Sequence, residues 1–193
     1  MAGVPVRAEQ GTRDRPYDLT LQFNPAKIDD LLRKLDRKPW SGARPPIAVF
    51  ISFDHNRRYT VTSDDPSSLG PREALANASE RAGLDTAIPM SYQVRESFAD
   101  TVPLNAPPET RAKLAAALTS SAAEHPVLTG HAVWDDNKLG WRTTWQLDAR
   151  GKTIRWTVDR VTYDEAFRNG LIGAAQILSG HGAPPGANRV KNN

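Results

Sequence analysis

The run GWRTTWQLDARGKTIRWTVD, Gly140 to Asp159, holds three of the chain's five tryptophans and alternates with period two on either side of a glycine-containing turn. On its first strand Trp141, Thr143, Trp145 and Leu147 share a face, while Arg142, Thr144 and Gln146 share the reverse. On its second, Ile154, Trp156 and Val158 oppose Thr153, Arg155 and Thr157. Three indoles among aliphatics on one face require a cover, since burying each ring contributes about 2–3 kcal/mol. The closing segment supplies it. Thr162 and Glu165 have capping-box spacing, and Tyr163, Ala166, Phe167, Leu171, Ala174, Ile177 and Leu178 then share one face of a helix ending at Gly180. VLTGHAV, before the tryptophan run, completes a three-strand meander.

Upstream, residues 1–16 read as a flexible polar lead-in, and YDLTLQF alternates as a half-buried strand. Asn24 and Pro25 open a helix with Ile28, Leu31, Leu32 and Leu35 on one stripe, acidic residues near its start and basic ones near its end. IAVFISF is a continuous apolar run, as expected of a central strand covered on both faces, with RYTVT its hairpin partner or a short edge strand. A helix from Pro71 to Ala82 stops at Gly83; Leu84 to about Val94 reads as extended, interrupted by Pro89. Glu109 to Glu124 reads as a helix with a thin stripe of Leu114 and Leu118, and residues 181–193 as a flexible tail. The fold expected is α+β: a mixed, largely antiparallel sheet ending in the meander, helices mainly on the tryptophan face, in a single domain over 17–180.

Composition narrows function mostly by exclusion. The chain has 193 residues, 39% hydrophobic and 24% charged, with no apolar run of membrane-spanning length, so no membrane span is expected. A net charge of +3 is a weak field, and the polar face of the meander lacks the stacking aromatics of a single-strand platform, so no nucleic-acid partner is expected. Without cysteine there is no disulfide, thiolate nucleophile or common zinc framework.

The four histidines, His55, His125, His131 and His181, show no metal-ligand spacing, and no cofactor is expected. DDNKLG begins like a calcium loop, but Leu139 falls on a ligand position and Gln146 stands where the bidentate glutamate belongs. Phosphate-cradling, dinucleotide and nucleophile-elbow motifs are missing. His131 with Asp135 and Asp136 is the one grouping that a hairpin could gather for acid–base chemistry. The candidate interaction face is Arg142, Thr144, Gln146, Arg155 and Thr157. No feature fixes an oligomeric state.

Four runs in order, LQFNPAKIDDLLRKLDRKPW with RPPIAVFISFD, REALANASERAGL, PVLTGHAVWDDNKLGWRTTWQL and YDEAFRNGLIGAAQILSGHG, resemble the proteobacterial family catalogued as domain of unknown function 2066. The resemblance spans roughly Tyr17 to Gly182. It implies an exported, periplasmic or cell-envelope protein, and carries no catalytic residues with it. The amino end here lacks the apolar core of a signal peptide, so location is an expectation from the resemblance. Together these point to a non-catalytic envelope binding or accessory protein whose partner is another envelope protein or component. The alternative is a hydrolase with dispersed acid and base groups, His131, Asp135 and Asp136 first among them.

Overall fold

The computed structural model describes residues 3–12, 15–36, 40, 44–119, 125–180 and 183–185. They group into two compact units, Met1–Gly42 and Ala43–Asn193, so the boundary falls after the first helix, whereas the sequence reading joins 17–180 in one domain.

In the first unit, the stretch read as a lead-in is instead strand β1 (Gly3–Thr12), paired antiparallel with β2 (Arg15–Phe23). A hairpin ladder needs main-chain hydrogen bonds rather than apolar alternation, and so leaves little trace in residue pattern. Helix α1 (Pro25–Lys34) follows, its first N–H groups bound by Asn24 Oδ1 at 3.0 and 3.4 Å from Ala26 and Lys27.

The second unit is built on one mixed sheet. Its strands are β3 (Ile47–Asp54), β4 (Arg58–Thr60), β5 (Thr86–Ala87), β6 (Val127–Asp135), β7 (Gly140–Ala149) and β8 (Lys152–Val161). The order is β4-β3-β6-β7-β8, with β5 beside the start of β3. Only the β3–β6 and β3–β5 pairs are parallel, and β6–β7–β8 is the expected meander. Helices α2 (Leu69–Ala82), α3 (Ser91–Phe98), α4 (Pro108–Thr119) and α5 (Tyr163–Ser179) complete it, an α+β architecture.

Strand β3 is buried along nearly its whole length because it is covered twice. Phe53 stacks on Tyr163 of α5 at 4.6 Å between ring centroids, while Ala48 and Phe50 face the reverse and join Phe98, Ala106, Leu114 and Ala115 in a second cluster beneath α3 and α4. Helices α5 and α2 lie on the tryptophan side, α2 packed along α5.

The indoles shape that side. Trp145 is fully buried, set between Gly130 of β6 and Gly170 of α5; a Cβ at either would come within 2.5 Å of its ring. Trp156 lies the same way on Gly173. Mid-helix glycine costs about 1 kcal/mol relative to alanine, and flat ring burial offsets it here. Trp141 is only partly buried, at the rim, edge-on to Phe53 at 5.1 Å and to Trp134 at 5.4 Å. Two of the three rings are therefore interior and the third seals the end of the core. The capping box of α5 forms as expected, with Thr162 and Glu165 bonded reciprocally, and Gly180 ends the helix at φ 72°.

Two further expectations change. Past Pro89 the chain is not extended: Ser91–Phe98 is helical, its start fixed by Asp64 Oδ1 accepting from Ser91 N–H at 2.7 Å and Gln93 Oε1 accepting from Met90 N–H at 2.8 Å. In the stretch read as a tail, Pro184 is buried beside Gly173, while residues 181–182 and 186–193 lie outside the described residues, as do residues 120–124 of the helix expected over Glu109 to Glu124.

Candidate functional site

The face of the sheet opposite the tryptophans is a grid of polar side chains set by strand register. Ser52, His131, Thr144 and Thr157 form one row across β3, β6, β7 and β8. Phe50, Thr129, Gln146 and Arg155 form the next, followed by Ala48, Val127, Asp148 and Thr153. All five predicted face residues, Arg142, Thr144, Gln146, Arg155 and Thr157, lie on this side, with unequal exposure.

Helix α4 divides the face. Its Arg111, buried, donates Nε and Nη2 to Asp148 Oδ2 at 3.1 and 2.9 Å and Nη1 to the Ala106 carbonyl. Asp148 also accepts from Gln146 Nε2 at 2.9 Å and from Thr153 Oγ1 at 2.6 Å. Gln146, itself 1% exposed, accepts from Arg155 Nε at 2.5 Å. Four side chains thus run in one hydrogen-bonded chain from interior to surface. Gln146 is an internal strut, not a contact residue. Such a satisfied buried network is stiff, and breaking the Arg111–Asp148 pair would strand a buried charge.

The remainder of the face is open. Arg142 is 60% exposed and pairs with Asp159 at 3.4 Å; Arg155 is exposed; Thr144 and Thr157 hydrogen-bond each other at 3.3 Å and are half-buried. Val133 is 41% exposed on the same side. The result is a polar, hydroxylated surface that carries Arg142, Arg155 and Asp159.

The acid–base grouping is not assembled. His131 and Asp135 share a side of β6 but lie four residues apart, about 13 Å at strand rise. Asp136 instead accepts from Trp134 Nε1 at 2.9 Å, and Asp135 caps the turn by accepting from Asn137 and Lys138 N–H. The neighbour of His131 is Ser52, whose Oγ lies 2.9 Å from Nδ1. Burial depresses the pKa of His131; Asp54 works against that shift and Arg58 with it. The imidazole is neutral at neutral pH. Ser52 is fully buried, so its hydroxyl orients the ring. The lone hydroxyl in the apolar run Ile47 to Phe53 was the available signal for this pair. Arg111, within an alanine-rich helix, and Asp148, at a turn, gave no sign that they meet.

Among the described residues no three His, Asp or Glu side chains gather as metal ligands, and no described helix is long and apolar enough to cross a membrane. No family model, curated protein or solved structure matches the chain.

Proposed function

We propose that the protein is a non-catalytic binding or accessory protein of the cell envelope that docks another envelope protein or component on the open part of the meander face. The observation that carries this reading is the chain Arg111–Asp148–Gln146–Arg155, which holds the Arg155 guanidinium in place before a partner arrives. Ordering a free arginine on binding costs roughly 0.5–1.5 kcal/mol, and a pre-set one avoids much of that. Paired hydroxyls and Arg142 beside it favour a broad, carboxylate-bearing surface over an enclosed small molecule. The compartment rests on the family resemblance.

The test is affinity capture from native envelope extract with wild type and an Arg142→Ala/Arg155→Ala variant. A co-purifying partner lost in the variant supports the reading; a partner set identical in both defeats it. The hydrolase alternative draws on the Ser52–His131 contact. Turnover in a hydrolase screen that disappears in folded His131→Ala would replace the binding reading.

A further inference from the structure

Strand β4 is one lateral edge of the sheet. Its register pairs Thr60 with Ser52, Tyr59 with Phe53 and Arg58 with Asp54, and the Val61 N–H donates to the Ile51 carbonyl at 2.9 Å. Main-chain groups in an antiparallel ladder alternate between facing the partner strand and facing away. Tyr59 and Val61 therefore turn toward β3, and Arg58, Thr60 and Thr62 turn outward. Thr62 bears this out, since its N–H is taken by Ser68 Oγ at 3.2 Å. Outside the β3 ladder, Arg58 and Thr60 make no main-chain bond among the described residues.

Beyond that edge runs a groove of about 420 Å³ between β4 and α3, with Tyr59 and Thr60 on one wall and Val94, Arg95 and Asp100 on the other. Proteins usually blunt an edge with charge. Here the Arg58 guanidinium is drawn back to Asp54 at 3.0 Å, which leaves the edge accessible. Arg95 has no ion pair among the described residues. An outward main-chain ladder facing a helix across a groove is the arrangement in which an extended peptide adds as a new strand.

We infer that this groove, separate from the meander face, binds an extended polypeptide segment by strand addition to β4, with one acidic side chain of the segment against Arg95. Main-chain bonds at Arg58 and Thr60 supply the pairing, and Arg95 supplies the preference. Asp65 and Asp100, which also line the groove, disfavour a second acidic group nearby.

The test titrates the ¹⁵N-labelled full chain with the capped peptide Val-Thr-Val-Glu-Val-Thr, its Glu-to-Lys counterpart, and a form N-methylated at alternate residues. Saturable shifts are expected at the amides of Arg58–Thr62 and Val94–Thr101, with Kd on the order of 1 mM or tighter. N-methylation of the peptide, or Thr60→Pro, is expected to weaken binding at least tenfold. The Thr60 N–H faces away from β3, so proline there removes no existing ladder bond. Arg95→Glu should reverse the preference to the lysine peptide. Equal binding of the N-methylated peptide, an unchanged preference in Arg95→Glu, or no saturable shift at these amides overturns the inference. The methylated peptide acts on the unaltered protein, so the test survives even if Thr60→Pro does not fold.

Discussion

Helices α1 and α5 carry the same outward credentials, an apolar stripe behind a side-chain N-cap, and end in opposite surroundings. In α1 no residue is buried, and Leu31 and Leu35 are 48% and 62% exposed. In α5 Ala166, Phe167, Leu171 and Ala174 are wholly enclosed. What separates them is the counterface. The α5 stripe is interrupted by Gly170 and Gly173, each shaped to an indole on the sheet below, whereas the α1 leucines stay largely exposed. Amphipathicity makes a helix; complementary relief decides whether it becomes core.

The sharpest way to break this comparison is to truncate one leucine on each helix. Leu171→Ala should cost about 2–5 kcal/mol in urea unfolding, and Leu31→Ala no more than about 0.5 kcal/mol. Equal losses would show that α1 is as well packed as α5. A finer test exchanges glycines. Gly170→Ala should destabilise by about 1–3 kcal/mol despite better helix propensity, because its methyl would strike Trp145. Gly70→Ala in α2, where the space is empty, should gain up to about 1 kcal/mol. If Gly170→Ala stabilises, the slot around the ring is not tight.

The smallest effect concerns pH on the opposite face of the same sheet. The folded pKa of His131 lies below its free value of 6.5, so its contribution is present above pH 6.5 and lost as pH falls through the lower folded value. Melting temperature should therefore drop across that window, and less steeply in His131→Gln. Identical slopes in both proteins would mean that His131 does not titrate with folding.

Local chemistry made most of the second unit legible. The period-two alternation of β7 and β8, the Thr162–Glu165 box and the stop at Gly83 each depend on near neighbours in sequence, and each forms. Features set at a distance were hidden. Helix α3 starts where Asp64 reaches across to Ser91, and a reading confined to residues 84–94 cannot see that contact. For the candidate site, strand alternation placed Arg142, Thr144, Gln146, Arg155 and Thr157 on one side, as found. The burial of Gln146 was invisible, because it follows from Arg111 arriving on α4 and tethering Asp148. Likewise, nothing in the pattern of β3 names β6 as its parallel neighbour.

That last pairing has a consequence for how the chain is made. The contact between Ser52 and His131 spans 79 positions, so the most apolar strand emerges from the ribosome long before the strand that will flank it. Parallel, sequence-distant pairing is slow to form and exposes sticky backbone in the interval. During translation the segment IAVFISF needs a temporary guardian, or the early arrival of β4 along its later half, to keep nascent copies from finding one another first.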